Sequence, residues 1–349
     1  MTLLKKYMIT IAATGMAIFT LTGCGAAGEL TNAAIESVRK LDYQTALTQF
    51  EEARKAGENE RQISRGMGIA YMGLTDYDKA AACFEEALKA SNGLLQNMDY
   101  DINYYLASAY TKGNRLADAE STYDAILSMK PEEADAYFLR GNVRLGLAKY
   151  EEAKEDFDRV AVMEPQNYDR LIQIYEVLDH YGQTQDGEAY LLAALQQENS
   201  KMTDYDKGRI YYYLGEYQLA YMALEDARGQ GGADAYLYLG RAYEATGDYN
   251  YAASVYNAYL TQDTSNAEIY NQLGVCEMKK GEYEKALAAF QAGMNAPDNT
   301  IQQTLAYNEI VAYEHLGEFK RATVLMENYL KTYPDDTKAQ REYDFLSTR

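Results

Sequence analysis

The chain has 349 residues, 47% of them apolar, so it is long enough for two ordinary domains or one repeat array and too apolar for a disordered polymer. A formal net charge of −20 repels phosphate backbones and anionic headgroups, which sets aside nucleic-acid binding and a purely electrostatic membrane contact. Only four prolines, at 131, 165, 297 and 334, favour long uninterrupted helices, and 35 tyrosines without one tryptophan are a bias that needs a structural reason.

The first element in chain order reads as an export signal. Lys5 and Lys6 precede an apolar run from Tyr7 to Leu21, which is too short for a comfortable membrane span. The tetrapeptide LTGC then closes on Cys24. This order of charge, apolar run, small residues and cysteine resembles the lipobox of bacterial lipoproteins. The resemblance implies that residues 1–23 are a signal peptide and that Cys24 carries a covalent lipid after cleavage. Residues 24–28 then form the tether, and four extended residues reach roughly 14 Å. The first folded element, from Glu29, would sit close to the bilayer.

From there one phrase recurs. TDYDKAAACF at 75–84, AKYEEAKEDF at 148–157, GDYNYAASVY at 247–256 and GEYEKALAAF at 281–290 share an aromatic, then an alanine three residues on, then a bulky apolar residue four further. The alanine recurs as Ala46, Ala80, Ala119, Ala153, Ala220, Ala252, Ala286 and Ala322, with Ala189 as a weaker member, at a period near 34. Offsets of three and four put these side chains on one helix face. An earlier helix carries Gly141, Gly240 and Gly274 twelve residues before its alanine, while Gly247, Gly281 and Gly317 fall in the turn five residues before. Each unit is therefore a helix A, a turn and a helix B. Nine units begin near Ala27, Arg61, Tyr100, Ala134, Tyr168, Lys201, Ala233, Ala267 and Gln303.

This pattern is similar to the tetratricopeptide repeat. The resemblance implies an all-α fold, a right-handed superhelical solenoid of about nine helix-turn-helix repeats over residues 29–335, closed by a C-terminal capping helix at 336–349. Repeat five departs from the pattern. With Ala189 as its alanine, the turn gains about two residues and the preceding aromatic is missing, so 182–203 is expected to hold a hinge or a subdomain break. The join between repeats two and three is lengthened at 91–98.

In the family, certain helix A positions face a concave groove, and carried onto this chain they are Tyr104, Phe138, Asn142, Tyr205, Arg209, Tyr212, Arg241 and Tyr307. Rigid rings supply contact area at little entropy cost. Arg209 and Arg241 occupy equivalent positions in repeats six and seven, where they either grip a partner carboxylate or neutralise acidic neighbours. Asn142 stands where chaperone-binding members combine it with basic groove residues, but Phe138 and Gly146 occupy two positions that would need lysines.

The remaining polar chemistry is sparse. Cys83 and Cys276 lie six repeats apart, too far for a disulfide in a solenoid, and read as buried apolar residues. His180 and His315 have no second ligand at helical spacing, and no catalytic or phosphate-binding motif is present, so neither metal, cofactor nor enzyme activity is expected. The expected function is a scaffold that binds extended segments of partner proteins, lipid-anchored on the extracytoplasmic face of a bacterial cell membrane. The alternative is a lipoprotein receptor that holds glycan or another non-protein ligand in the same groove.

Overall fold

The structure, a computed structural model, describes residues 28–91, 96–197, 201–229, 231–297 and 300–349. The proposed signal peptide, Cys24 and most of the tether lie outside the described residues, as does part of the join at 91–98. The chain divides into two compact units, Met1–Gly187 and Glu188–Arg349. The division falls inside the 182–203 stretch.

All regular elements among the described residues are helices. The first unit contains α1 (Glu29–Arg39), α2 (Tyr43–Lys55), α3 (Glu60–Gly73), α4 (Tyr77–Lys89), α5 (Asn97–Lys112), α6 (Leu116–Met129), α7 (Ala134–Gly146), α8 (Tyr150–Met163) and α9 (Tyr168–His180). Helix α10 (Thr184–Leu195) spans the division. The second unit continues with α11 (Asp204–Tyr213), α12 (Tyr217–Asp226), α13 (Gly232–Ala245), α14 (Tyr249–Leu260), α15 (Ala267–Lys280), α16 (Tyr283–Met294), α17 (Gln302–His315), α18 (Phe319–Thr332) and α19 (Thr337–Leu346). Odd-numbered helices up to α17 are the A helices and even-numbered ones the B helices. From α1 to α8 and again from α11 to α18, each A helix packs on its own B helix and that B helix packs on the next A helix.

The core explains the recurring phrase. Ala46, Ala80, Ala153, Ala252 and Ala286 are all fully buried, and so are Phe50, Phe84, Phe157 and Tyr256 four residues after the first four of them. The A helix makes room for that ring with a glycine. A Cβ on Gly240 would lie 2.2 Å from the Tyr256 ring, and one on Gly274 would lie 2.3 Å from the Phe290 ring. A methyl group there forces the helices apart.

Each A–B turn passes through one residue in the left-handed region, always five before the key small residue. These are Leu41, Thr75, Asn114, Ala148, Gly182, Gly215, Gly247, Gly281 and Gly317, with φ from 59° to 82°. At Gly247 the turn closes through Gly247 N–H donating to Glu244 O and Asp248 N–H donating to Tyr243 O, both 2.9 Å, the Schellman pattern at a helix C-terminus. The Asp248 side chain then accepts from Tyr251 N–H and caps the next helix.

That turn corrects the reading of repeat five. Gly182 is its left-handed residue, α10 starts at Thr184, and the small residue three further on is Gly187. Gly187 is buried, and a Cβ on it would lie 3.1 Å from Tyr175 Cα, whereas Ala189 is exposed. The turn is as long as the one between α7 and α8, so no residues are inserted. Thr184 takes the place of the aromatic, and glycine takes the place of alanine at the closest approach of the pair.

Helix α19 packs against α18 and buries Ala339 and Leu346, with Asp336 accepting from Lys338 N–H and Ala339 N–H at its start. No helix among the described residues is long and apolar enough to cross a membrane.

Candidate functional site: a tyrosine cluster on the A helices of the second unit

On α11, Tyr205, Arg209 and Tyr212 follow one another at intervals of four and three, so they share a face. Gly208 and Ile210 are buried, and Gly208 sits against Leu224 of the pair partner α12. On α13, Tyr238 and Arg241 sit three apart. The two helices bring these faces together. Tyr238 meets Tyr212 with ring centroids 5.5 Å apart and Tyr205 at 6.5 Å, both edge to face. Tyr213 joins at 6.0 Å, and its hydroxyl lies 3.1 Å from that of Tyr238. Tyr212 also packs at 5.8 Å on Tyr217, the first residue of α12. Edge-to-face contact aligns the positive rim of one ring with the negative face of the next, so the cluster is rigid without being buried. All four rings remain partly exposed. Burial raises the Tyr212 hydroxyl above its ordinary pKa, so it stays a protonated donor at neutral pH.

Tyr213 and Tyr238 were not among the expected groove residues. Their signal is visible afterwards: Tyr213 ends the run IYYY, and Tyr238 precedes Arg241 by one turn. Neither fits a single-helix face rule, because what gathers them is the packing of α11 beside α13.

The arginines do something other than grip a partner together. The Arg209 side chain is only 11% exposed, donates to Asp206 at 3.0 Å and lies 4.5 Å over the Tyr205 ring. Arg241 donates to Glu268 on α15 at 2.9 Å, and Gln272 donates to the same carboxylate oxygen. Burial opposes the charge on Arg241, but Glu268 and the neighbouring tyrosines outweigh it and hold the guanidinium above its ordinary pKa. Both arginines therefore serve internal carboxylates, Asp206 and Glu268. What stays partly exposed beside them is tyrosine.

The other expected residues lie elsewhere. Tyr307 packs edge to face on Tyr329 at 6.0 Å, with Lys338 of α19 lying 4.5 Å over its ring, so the capping helix covers it. In the first unit, Tyr104 stands edge-on to Tyr123 at 6.4 Å, and its buried hydroxyl finds no hydrogen-bond partner of good geometry. Burial, then the Glu133 and Asp135 carboxylates, push that hydroxyl above its ordinary pKa. Phe138 is 1% exposed, held 6.0 Å from Phe157 and beneath the Arg170 guanidinium at 4.5 Å. It is a core residue, a correction to its expected place in a groove. Its helix partner presents the Phe157 ring, and the Arg170 guanidinium closes over it, so Phe138 is drawn inward. Asn142 is half-buried one turn further along α7.

Both cysteines are free thiols, Cys276 buried and Cys83 half-buried, with the Cys83 thiol pushed up to about 11 chiefly by burial. Among the described residues no three or more histidine, cysteine or acidic side chains gather in a way that could hold a metal ion.

Comparison with known proteins agrees with this architecture. One tetratricopeptide repeat profile matches residues 31–94, 65–134, 205–267 and 252–299, and a second tetratricopeptide repeat profile matches 134–167. The chain belongs to the tetratricopeptide repeat family, and its general role is to mediate protein–protein interaction. It is 26% identical over 196 residues to human RNA polymerase II-associated protein 3, an alignment covering 52% of this chain and 28% of that protein. With human tetratricopeptide repeat protein 8 it is 28% identical over 108 residues, covering 31% of this chain and 20% of that protein. The chain thus spans less than a third of the length of either relative. Among solved structures, a tetratricopeptide repeat protein from Parabacteroides merdae aligns with a TM-score of 0.46 at 14% identity, covering 72% of this chain and 98% of that one.

Proposed function

We propose that this protein is a non-catalytic scaffold, held by a lipid on Cys24 at the extracytoplasmic face of a bacterial cell membrane, that binds an extended segment of a partner protein. The observation that carries the binding role is the half-exposed cluster of Tyr205, Tyr212, Tyr213 and Tyr238 on adjacent A helices. Rings locked against one another lose little freedom on binding, so less entropy opposes association with a flexible chain. The hydroxyls give hydrogen bonds to a backbone without fixing a charge, which suits an extended segment read along its main chain. Supporting the anchor is the sequence alone: Lys5 and Lys6, the apolar run to Leu21, and LTGC in that order.

Two experiments test this reading. A photoreactive amino acid at Tyr205, irradiated in native membranes, is expected to capture a discrete protein, and Tyr212→Ala with Tyr238→Ala to abolish that capture. Capture of glycan or lipid alone overturns the scaffold role in favour of a receptor. For the anchor, Cys24→Ala is expected to yield an unprocessed or released protein; unchanged membrane attachment counts against lipidation.

A further inference from the structure

A second aromatic feature of the residues 188–349 unit runs across two B helices and the A helix between them. Tyr221 of α12, Tyr243 of α13 and Tyr251 of α14 form a continuous face-to-face stack. Tyr221 and Tyr243 lie 4.7 Å apart at an interplanar angle of 9°, and Tyr243 and Tyr251 lie 5.5 Å apart at 22°. Tyr243 follows Tyr238 by five residues, which at 3.6 residues per turn rotates it roughly 140° from the cluster described above. The two aromatic features therefore use different sides of α13.

The stack ends in the open. Tyr251 is 60% exposed, and Leu219, at the same place one repeat earlier, is 42% exposed. Elsewhere this chain covers its tyrosine faces with its own cations: Arg115 lies 4.3 Å over Tyr110, Lys130 lies 4.2 Å over Tyr100, and Arg321 lies 4.3 Å over Tyr313. One carboxylate lies beside the middle ring of the stack and another at its exposed end. Glu225 accepts from the Tyr243 hydroxyl at 3.1 Å but is already paired with Arg228 at 2.6 Å, whereas the Asp248 side chain, which accepts from the Tyr251 amide at 3.3 Å, stands at the exposed end. Three stacked electron-rich faces with Asp248 at the exposed end, in a chain of net charge −20, make the outer face of Tyr251 a place where positive charge is favoured.

We propose that the Tyr221–Tyr243–Tyr251 stack is a docking surface for a basic segment of a partner protein, one arginine of which lies over the outer face of Tyr251 with Asp248 as its counter-charge. Arginine fits better than lysine because its planar, weakly hydrated guanidinium stacks on a ring while still donating in plane to a carboxylate. The site is separate from the proposed segment-binding cluster, and it stands or falls independently of it.

The test uses the full-length protein and a dye-labelled hexa-arginine peptide, read by fluorescence anisotropy in low salt. Tyr251→Leu keeps the net charge and the apolar bulk, so nonspecific attraction to an acidic surface is unchanged by it. It is expected to weaken binding about fivefold, the size of one exposed cation–π contact. Tyr251→Phe, which keeps the ring face, is expected to bind like wild type. Asp248→Asn, which preserves the helix cap, is expected to weaken binding by a similar factor. Hexa-lysine is expected to bind more weakly than hexa-arginine and to be less sensitive to Tyr251→Leu. Wild-type affinity in Tyr251→Leu, or equal losses in Tyr251→Phe and Tyr251→Leu, overturns the proposal. Thermal unfolding of each variant confirms that a loss of binding is not a loss of fold.

Discussion

The two units meet the same packing demands with different chemistry. In residues 1–187, neighbouring helices are tied by arginine and carboxylate. Arg61 pairs with Asp99 and Arg65 with Asp101, joining α3 to α5 across the lengthened join between repeats two and three. Asp156, 2% exposed, accepts from Arg140 at 2.6 and 3.0 Å and from Arg144 at 2.9 Å, and those arginines reach on to Asp124 and Glu120. In residues 188–349 tyrosine takes over much of that work beside the Arg241–Glu268 pair, and 21 of the 35 tyrosines fall there. The Tyr256 hydroxyl donates to Glu244 at 2.5 Å inside the core, and rings rather than ion pairs join α11 to α13. An ion pair consumes both its partners. A tyrosine contact leaves a ring edge or face available, which is why the candidate binding surfaces concentrate in the second unit.

The turns differ in the same sense. The first four left-handed positions hold Leu41, Thr75, Asn114 and Ala148, whereas every such turn after residue 187 has glycine. A side chain in that region costs roughly 1–2 kcal/mol, so the first unit carries turn strain that the second avoids.

The largest expected effect breaks the arginine network. Asp156→Ala leaves two partly buried guanidiniums without their shared carboxylate and is expected to destabilise the first unit by about 3–5 kcal/mol. Hydrogen exchange read by mass spectrometry checks it: protection should fall in α7 and α8 and hold in α13–α15. Equal loss in both units would mean that the comparison drawn here is empty.

The turn contrast is tested by exchanging its chemistry. Gly281→Ala is expected to cost about 1–2 kcal/mol, because α15 ends there at φ 78°. The opposite change, Thr75→Gly, relieves a β-branched residue at φ 61° and is expected to stabilise by about 0.5–1 kcal/mol after glycine's greater unfolded-state freedom is deducted. Urea denaturation midpoints moving in opposite directions would sharpen the contrast. A loss of stability in Thr75→Gly would refute it.

A smaller effect sits at the capping helix. Burial first, then the facing Glu342 of α19, raise the Glu314 carboxyl from 4.5 to about 7. The native state thus binds more protons than the unfolded one between about pH 4.5 and 7, so this group's contribution to stability falls as pH rises through that interval. Because solvent screens a half-exposed site, Glu314→Gln is expected to recover only about 1 kcal/mol at pH 8 and to flatten the pH profile of thermal stability between 5 and 8. An unchanged profile would show that neither burial nor Glu342 raises the Glu314 carboxyl in the native state.

Much of the architecture was legible because a repeat writes its local geometry into every copy. The spacing of three and four residues around Ala80, Ala153, Ala252 and Ala286 specified helix B, and the shared place of Gly247, Gly281 and Gly317 marked the turn. Repeat five misled because small residues can substitute for one another: Gly187 fills the alanine's place, and a search for alanine slides to Ala189. The left-handed turns at Leu41, Thr75, Asn114 and Ala148 carry no glycine and so gave no signal of their own.

The sequence by itself determined an all-helical repeat array, its period and the residues that fill the core between paired helices, because those depend on spacing along one backbone. Only the tertiary structure decided that Phe138 turns inward, that Arg209 and Arg241 are spent on Asp206 and Glu268, and that Tyr213 and Tyr238 join the cluster. Those outcomes depend on which side chain a neighbouring helix presents some 30 residues away, and no periodicity within one helix encodes that choice.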